Sequence, residues 1–306
     1  MLHLKVDKQN SDSYPTITEA LQAVPYNEEA VIEIGEGVYK EKLFSDKRAI
    51  TLIGQGSSKT VILNSDYGYK PHLNGLKLGT FRSFTAFFSG ENLTLSNLSI
   101  INDSGYGKQI GQAISLYLDV KKAYITECVI EGYQDTLFLA PLPEKEVLKN
   151  GFIGPRRDTK RVGSISYFEN STIAGNVDFI FGGGDALFKN CKIISRLDEG
   201  YVTAPCKSAN NIGFVFYKCQ FKAEDDTISC VYLMRSWREG AKASFIECEY
   251  GKHINTEGCL KWQEIGQNTI GEANCSYKSI NSLQLTNKEV ETLLEFFSQK
   301  FGKVQI

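Results

Sequence analysis

A six-residue pattern recurs along the chain and constrains the fold more than any other feature of the sequence. An apolar or aromatic residue is followed by any residue, a polar one, a small or apolar one, any residue, and a second apolar or aromatic one. The copies are LSNLSI at 95–100, ITECVI at 125–130, FENSTI at 168–173, FKNCKI at 188–193, FYKCQF at 216–221 and FIECEY at 245–250. Such alternation is typical of β-strands, whose successive side chains point to opposite faces. The copies begin 30, 43, 20, 28 and 29 residues apart, which predicts a solenoid whose coils carry loops of variable length.

Half of the eight cysteines occupy the fourth position of this pattern. They are Cys128, Cys191, Cys219 and Cys248. A small apolar residue that recurs on successive coils is best explained by an inward-facing stack. A metal ladder or a set of disulfides is the alternative interpretation, but no CxxC occurs and the three histidines are widely scattered. We therefore expect neither a metal site nor a disulfide scaffold.

Both ends of the chain carry a helical pattern. Thr16 and Glu19 form a capping-box frame before an apolar helical period, which predicts a helix over about residues 16–24. Thr286 is the expected N-cap of a second amphipathic helix over about residues 287–301. Because the open ends of a solenoid expose its core, we expect these helices to cover them.

Composition and charge limit the class of protein. The 306 residues have a formal net charge of −2, which gives no electrostatic case for nucleic acid or an anionic membrane. No stretch approaches the roughly 18 apolar residues needed to span a bilayer, and the start, MLHLKVDKQN, has no apolar run of a secretion signal. We predict one all-β domain over residues 1–306, folded as a single-stranded right-handed parallel β-helix, and we expect a monomer.

Two stretches share the frame Gly-x-x-Asp-x-(Leu/Ile)-Phe: GYQDTLF, with Asp135, and GNVDFIF, with Asp178. Asp135 lies ten residues after Ile125, and Asp178 lies ten after Phe168. Because Ile125 and Phe168 begin equivalent copies of the pattern, the aspartates should lie on consecutive coils, about 4.8 Å apart. Such a pair splits its pKa values, so one carboxyl can stay protonated as an acid while the other is a nucleophile or base. Two turn aspartates that happen to repeat are the alternative.

Other polar side chains fall near the aspartates. Gln112 precedes Gln134 by 22 residues, an interval that suits one coil. The two amides could donate to an oxyanion or form a purely structural ladder. Arg235 and Trp237 are two residues apart in a strand pattern and should project to the same side. An arginine beside paired aspartates would hold one of them ionised, and a tryptophan offers a flat apolar face to a sugar ring. A surface arginine and a core tryptophan are the simpler interpretation if this segment is taken alone.

Four short blocks resemble, in their order, the signature blocks of the pectin methylesterase (pectinesterase) family. They are GQA at 111–113, GYQDTLF at 132–138, GNVDFIFG at 175–182 and YLMRSW at 232–237, and TFRSFTAFF at 80–88 resembles the family's threonine-bearing segment. The similarity extends from about Tyr14 to Trp262. Members of this family are right-handed parallel β-helices of the pectin-lyase-like type. The resemblance implies an aspartyl esterase that removes methyl groups from the C6 esters of galacturonosyl units in pectin or oligogalacturonides. It releases methanol and requires no cofactor and no metal.

The resemblance also implies a role for each matching residue. Asp178 would be the nucleophile, and Asp135 would be the general acid and then the general base. Gln112 and Gln134 would form the oxyanion hole, and Arg235 would orient Asp178. The residues implied to contact substrate are Thr80, Gln112, Phe181, Arg235 and Trp237.

The chain departs from the family pattern in two places. YLMRSW stands where the family has YLGRPW, with Met234 and Ser236 in place of Gly and Pro, and we expect Met234 to narrow the cleft beside Arg235. Residues 140–162 form a long insertion between the two aspartates, which resembles bacterial members more than the compact plant form. This insertion contains a basic cluster, which would either meet acidic pectin or form a solvated charged loop. The cluster is Arg156, Arg157, Lys160 and Arg161.

Two other functions are compatible with such a solenoid, because a fold does not fix a function. A pectin or polygalacturonate depolymerase would use two carboxylates on the glycosidic bond or, as a lyase, a calcium-binding acidic cluster, which the sequence lacks near these motifs. A non-catalytic carbohydrate-binding solenoid would fit best without Asp135 or Asp178, and both are present. Family members are usually secreted, so a chain without a signal is compatible with a mature secreted form or a bacterial cytoplasmic form.

Overall fold

The computed structural model describes residues 1–73, 75–260 and 268–302, so Trp262, at the end of the family resemblance, lies outside the described residues. Within these ranges the chain forms short parallel strands joined by loops of variable length. The strands are β1 Leu2–Val6, β2 Glu29–Ile34, β3 Gly37–Lys40, β4 Leu43–Ser45, β5 Ala49–Ile53, β6 Thr60–Asn64, β7 Ala86–Ser96, β8 Ser99–Asn102, β9 Leu116–Thr126, β10 Val129–Glu131, β11 Leu137–Leu139, β12 Ile165–Glu169, β13 Thr172–Gly175, β14 Val177–Gly182, β15 Asp185–Lys189, β16 Lys192–Ser195, β17 Gly200–Pro205, β18 Phe214–Tyr217, β19 Gln220–Ala223, β20 Val231–Arg235, β21 Lys242–Ile246, β22 Glu249–Tyr250, β23 Cys259–Leu260, β24 Thr269–Ala273 and β25 Leu283–Gln284. The helices are α1 Ile17–Ala23, α2 Asn287–Phe301 and a 3-10 turn, Thr80–Arg82.

The paired strands run parallel and form three faces. Face 1 contains β4, the first halves of β7 and β9, and then β11, β14, β17, β20 and β23. Face 2 contains β1, β2, β5, the second halves of β7 and β9, and then β12, β15, β18, β21, β24 and β25. Face 3 contains β3, β6, β8, β10, β13, β16, β19 and β22. The chain visits the three faces in turn, so the predicted parallel β-helix is confirmed.

The six-residue pattern lies at the corner between faces 2 and 3 of six successive coils. Its first residues pair in one continuous register and are all buried in the core. These residues are Leu95, Ile125, Phe168, Phe188, Phe216 and Phe245. The four phenylalanine rings stack with successive centroid distances of 4.7, 4.7 and 5.0 Å. The register predicted from the pattern is therefore confirmed, and it determines which residues on the other faces lie side by side.

The cysteine stack predicted at the fourth position is also confirmed, because Cys128, Cys191, Cys219 and Cys248 are all buried in the core. Cys275 continues this column by a hydrogen bond with the Cys248 thiol. The sequence pattern missed Cys275 because the residue three positions earlier, Glu272, is charged, whereas the earlier copies begin with an apolar residue. Glu272 nevertheless pairs in register with Phe245. Its carboxylate accepts hydrogen bonds from the backbone and side chain of Ser279, which compensate its burial.

The two terminal helices pack differently. Helix α1 is capped by Thr16, as predicted, and it buries Ile17, Ala20 and Leu21 in the main core beside β1. Helix α2 begins with a capping box formed by Thr286. Neither described helix is long and apolar enough to cross a bilayer.

Helix α2 does not cover the open end of the coil, so that expectation is wrong. Its buried side chains, Leu294 and Phe297, pack with Tyr167, Leu187 and Val215 in a cluster separate from the main core. These three residues lie on β12, β15 and β18 of face 2, where they alternate with residues that point into the coil. Face 2 thus has an apolar outer surface, and the apolar stripe of α2 covers it along the flank.

Candidate active site

A cleft of about 490 Å³ lies over face 1, and it brings together every site residue named from the sequence. These residues are Thr80, Gln112, Gln134, Asp135, Asp178, Phe181, Arg235 and Trp237. They come from five separate stretches of the chain, which the stacking of consecutive coils brings together.

The two aspartates lie opposite each other on consecutive coils. Leu137 of β11 pairs with Ile180 of β14, and Asp135 and Asp178 each stand two residues earlier. The Asp135 backbone N–H donates to the Val177 carbonyl at 3.0 Å, which continues the same register to the aspartates. Leu137 and Ile180 point into the core, so their neighbours two residues back would also point inward in an unbroken strand.

The backbone at both aspartates departs from strand geometry. Asp135 has φ +63° and Asp178 has φ +51°, in the left-handed region that costs a non-glycine residue about 1–3 kcal/mol. A register shift between Val177 and Ile180 places two residues of β14 against one of β17, which is a β-bulge. Both carboxylates line the cleft instead of the core, at positions of left-handed backbone and, for Asp178, beside the bulge. Left-handed backbone also recurs at other corners of the coil, so it marks the tight turns of this fold.

The glycines of the shared frame are required by close packing. A Cβ on Gly132 would lie 2.8 Å from the Ser115 hydroxyl oxygen and 2.9 Å from that of Thr136. A Cβ on Gly175 would lie 2.3 Å from the Cβ of Phe179. Both glycines stand three residues before an aspartate, so the frame Gly-x-x-Asp records the same tight turn on two consecutive coils.

The floor of the cleft is aromatic. Phe138 and Phe181 follow the inward Leu137 and Ile180, so they point outward, and their ring centroids are 4.9 Å apart. Trp237 packs against Phe181 at 5.6 Å. Aromatic rings offer flat apolar surfaces that suit the faces of sugar rings.

Arg235 makes a two-pronged ion pair with Asp178. Its Nε donates to Oδ1 of Asp178 at 2.6 Å, and its Nη2 donates to Oδ2. The guanidinium carbon lies 4.2 Å from the centre of the Tyr201 ring, which supports the arginine from another side. Less than a fifth of either charged side chain is exposed, so the pair is only weakly screened by solvent.

The electrostatics of the two carboxyls differ. Burial raises the pKa of Asp135 well above its ordinary value, and the nearby charge of Asp178 raises it further. Burial also raises the pKa of Asp178, but the hydrogen bond and the charge of Arg235 oppose this rise. Asp178 therefore ionises at lower pH than Asp135. The pair can hold one carboxylate and one protonated acid at the same time.

The two glutamines lie on adjacent coils at the edge of the cleft. The backbone N–H of Ala113 donates to the Gln134 carbonyl at 3.0 Å, which places Gln112 beside the coil of Gln134. The Gln112 carbonyl accepts from the Gly68 N–H at 2.6 Å. The Gln134 side chain hydrogen-bonds the Asp135 carboxyl, so at least one amide is within reach of the acidic pair.

Met234 does not narrow the cleft, contrary to our expectation. It is fully buried in the core, and it pairs with Thr203 in the ladder between β17 and β20. Strand alternation explains the difference, because Arg235 points outward and its neighbour must then point inward. Ser236, the other departure from the family pattern, does line the cleft.

The three arginines of the basic cluster bond within the protein, whereas Lys160 is exposed, and contact of the cluster with acidic pectin stays a prediction. Arg156 forms a salt bridge with the buried carboxylate of Asp119 on β9. The guanidinium of Arg161 donates to four backbone carbonyls within the insertion, including that of Pro143. Arg157 donates to Asn150 Oδ1 at 3.3 Å. These arginines hold the insertion in one shape on the coil.

Half of the sixteen residues that line the cleft were not predicted as site residues from the sequence, and four of these have large side chains from the insertion or next to the Arg-Trp block. Val147, Leu148 and Phe152 come from the insertion, whose path over the cleft no local pattern indicates. Arg238 follows Trp237 directly, and its guanidinium donates to the Trp237 carbonyl at 2.7 Å. Its position next to the Arg-Trp block was the one signal that could have identified it.

The polar groups that the cleft presents are carboxylates, amides, hydroxyls and guanidinium groups. Within the described ranges, no group of three His, Cys, Asp or Glu side chains is arranged to hold a metal ion.

Comparison with known proteins gives one family. The protein-family model described as Pectinesterase matches residues 3–142 and 147–279. The curated protein "Pectinesterase" of Petunia integrifolia is 32% identical over 267 residues, which span 82% of this chain and 63% of that protein. "Probable pectinesterase/pectinesterase inhibitor 23" of Arabidopsis thaliana is 29% identical over 273 residues, 84% of this chain and 43% of that protein. The chain thus spans less than two thirds of the length of these curated relatives.

Solved structures show the same fold. Pectin methylesterase PemA from Erwinia chrysanthemi matches with a TM-score of 0.80 at 22% identity, over 99% of this chain and 97% of that one. The pectin methylesterase from carrot matches with a TM-score of 0.79 at 23% identity, over 95% of this chain and 91% of that one. A pectin methylesterase solved in complex with a hexasaccharide has a TM-score of 0.80 at 23% identity, covering 100% of this chain and 99% of that chain.

Proposed function

Because the chain belongs to the pectinesterase family, we propose that it hydrolyses the C6 methyl esters of galacturonosyl units in pectin, releasing methanol and demethylated pectin. One observation carries this proposal. Asp178 is held by two hydrogen bonds from Arg235, opposite an Asp135 whose pKa is raised by burial and by the charge of Asp178. This arrangement supplies a nucleophile and an acid in one cleft, as ester cleavage without serine or histidine requires.

In the first step, an ionised Oδ atom of Asp178 attacks the carbonyl carbon of the ester. Arg235 orients the carboxylate and favours its ionised form, because a two-pronged guanidinium pair stabilises the charged state. The bond between Asp178 and the carbonyl carbon produces a tetrahedral intermediate with a negative oxygen. We assign the stabilisation of this oxygen to the side-chain amides of Gln112 and Gln134, which line the same cleft.

Collapse of the intermediate breaks the bond to the methoxy oxygen. Protonated Asp135 donates its proton to that oxygen, and methanol leaves. The remaining acyl-enzyme is an anhydride between Asp178 and the C6 carbonyl. Asp135, now a carboxylate, takes a proton from water as the water attacks the C6 carbonyl carbon of the anhydride. This step restores both aspartates and releases the free acid.

The substrate chain is proposed to lie along the aromatic floor. Phe181 and Trp237 offer apolar faces to galacturonosyl rings, and Thr80 provides a polar contact at the edge of the cleft. That a similarly folded pectin methylesterase was solved with a hexasaccharide supports an extended, multi-unit binding mode.

The test is methanol release from methyl-esterified pectin, with the length of the polymer followed in parallel. Methanol with constant chain length supports the esterase, shortened chains indicate a depolymerase, and binding without product indicates a carbohydrate-binding solenoid. Asp178→Asn should abolish methanol release while the fold stays intact, as its circular dichroism spectrum would show. The matched control is Asp226→Asn, at an exposed position outside the cleft. Undiminished turnover by Asp178→Asn would remove Asp178 from the mechanism.

A further inference from the structure

A pair of stacked tyrosines lies beside the ion pair of Arg235 and Asp178. Tyr201 of β17 and Tyr232 of β20 pair directly in the strand ladder, and their ring centroids are 5.8 Å apart with 20° between the ring planes. Tyr201 points away from the core, because its neighbour Val202 is buried in the core and successive side chains of a strand alternate. The stack therefore stands on the outer side of face 1.

Tyr201 contacts the guanidinium that holds Asp178. The guanidinium of Arg235 lies over the Tyr201 ring, with its central carbon 4.2 Å from the ring centre. At the same time, Nε and Nη2 of Arg235 donate to the two carboxylate oxygens of Asp178. A guanidinium is planar, so it can donate in its plane to a carboxylate while it stays over an aromatic ring. The negative face of the ring attracts the cation.

The ion pair alone leaves one motion of the arginine open. Two parallel hydrogen bonds fix the distance and the in-plane alignment of the guanidinium and the carboxylate. The two planes can still tilt against each other about the line that joins the two donors. Contact with the Tyr201 ring opposes this tilt, because it would lift the guanidinium off the ring. The direction in which the Asp178 oxygens face the cleft therefore depends on the ring.

Tyr201 is itself held by the strands on both sides. Its backbone N–H donates to the Asn176 carbonyl at 2.9 Å, and Tyr201 pairs with Val177, the residue before Asp178. The stacked ring of Tyr232 supports it from the next coil. Tyr201 is thus fixed between the strand that carries Asp178 and the strand that carries Arg235.

We propose that Tyr201 is a positioning residue of the acidic pair, whose ring fixes the guanidinium of Arg235 and thereby the orientation of the Asp178 carboxylate. This inference rests on the proposed function. Tyr201 is not among the described residues that line the cleft, so its effect passes through Arg235 and not through contact with substrate. It also lies in none of the four family blocks, so the sequence motifs do not indicate it.

The test compares Tyr201→Leu, which removes the aromatic face, with Tyr201→Phe, which keeps it. Tyr201→Phe should release methanol at a rate within about twofold of the wild type. Tyr201→Leu should lower kcat about 5- to 30-fold, which corresponds to about 1–2 kcal/mol for a partly desolvated cation–π contact, with little change in KM. The acidic limb of the pH profile of kcat/KM should move up by about 0.5–1 pH unit, because a misaligned guanidinium favours the charged carboxylate less.

The matched control is Tyr217→Leu. The Tyr217 ring also carries a cation, Nζ of Lys218 at 4.9 Å from its centre, but it packs in the cluster that helix α2 covers on face 2. Loss of this ring should lower the melting temperature without moving the acidic limb. A limb that moves equally in Tyr217→Leu and Tyr201→Leu would assign the shift to lost packing and overturn the proposal.

The pKa of Asp178 is also measured without turnover, by carbon NMR of isotope-labelled aspartate carboxyls, with Asp178→Asn to assign the signal. A higher pKa in Tyr201→Leu and an unchanged one in Tyr201→Phe would support the proposal. An unchanged pKa in Tyr201→Leu would reject it, and equal shifts in both variants would assign the effect to the phenolic hydroxyl instead of the ring. If the wild type releases no methanol, the proposed function fails, whereas this titration still decides the role of Tyr201.

Discussion

At the residue scale, the same guanidinium fixes the position of Asp178 and its charge. Catalysis of the proposed kind needs Asp178 ionised, so the acidic limb of the pH profile of kcat/KM should report its pKa. Arg235 opposes the rise in the pKa of Asp178 that burial causes. Removing the guanidinium should therefore move that limb to higher pH.

For Arg235→Gln we expect a shift of the acidic limb by about 1–3 pH units, the range that an adjacent arginine exerts on an aspartate, together with a lower kcat. The matched control is Arg238→Gln, which also removes a guanidinium from the cleft. The guanidinium of Arg238 donates to the Trp237 carbonyl and not to Asp178. If the limb moves equally in both variants, general charge in the cleft and not the ion pair sets the pKa.

The raised pKa of Asp135 should make stability depend on pH. The pKa of Asp135 in the folded protein is raised, so between the ordinary pKa of about 4 and the folded value the folded state binds more protons than the unfolded state. Stability is then lost as pH rises through this window, and at neutral pH the site is destabilising. We expect Asp135→Asn to raise the melting temperature at pH 7 and to have little effect near pH 3, while methanol release is abolished. A lower melting temperature at pH 7 would contradict the shift.

How far the site could be predicted depends on where each residue's partners lie. The positions of Asp135 and Asp178 in the coil could be predicted because each lies ten residues after Ile125 or Phe168. These two anchors pair in register at the same corner of consecutive coils. The left-handed backbone at both aspartates could not be predicted from the sequence, since no residue type in the frame requires it. Met234 was misplaced because the family comparison considered its size and not the alternation that its neighbour Arg235 imposes.

At the element scale, the insertion over residues 140–162 makes contacts with distant parts of the chain that a local sequence pattern cannot predict. Arg156 and Asp119 are 37 residues apart, and nothing in the sequence around either one indicates the other. Composition describes a loop only by its charges, so it predicts that these arginines form a charged surface. All three arginines instead form a salt bridge or hydrogen bonds within the protein. These bonds shape the insertion, which forms one wall of the cleft.

The salt bridge between Arg156 and Asp119 should contribute to stability. Their side chains are 27% and 10% exposed, so Arg156→Met would leave a mostly buried carboxylate without its partner. We expect a loss of about 2 kcal/mol, less than the roughly 3–5 kcal/mol found for fully buried pairs, measured by denaturant unfolding. Arg157→Met, at a more exposed position 3.9 Å from Glu146, is the control and should cost less than about 1 kcal/mol.

A double variant identifies the cause of that loss. Adding Asp119→Asn to Arg156→Met removes the unpaired charge and should restore most of the lost stability, because the cost comes from the buried carboxylate and not from lost packing. If the double variant is as unstable as the single one, packing of the Arg156 side chain is responsible instead.

At the scale of the whole molecule, the residues that form the cleft and the residues that stabilise the flank lie on different faces of the coil. Most coils contribute a strand to each of the three faces, so face 1 can carry the cleft while face 2 supports a helix on its outer surface. In a solenoid, each coil contacts mainly its neighbours along the axis, and changes on one flank need not reach another. The six-residue pattern predicted this architecture because it repeats on six successive coils, whereas the docking of α2 on the flank depends on outward residues outside the pattern.

Helix α2 offers a direct test of this separation. Phe297 is fully buried against the outer surface of face 2, and Phe→Ala in such a position costs about 3–5 kcal/mol. We expect Phe297→Ala to lower the free energy of unfolding by this amount while kcat and KM at 25 °C stay within about twofold of the wild type. Phe296→Ala, at the neighbouring half-buried ring, should cost distinctly less. A fall in kcat that accompanies the loss of stability in Phe297→Ala would mean that the flank and the cleft are coupled through the coil, and that α2 helps to set the geometry of the acidic pair.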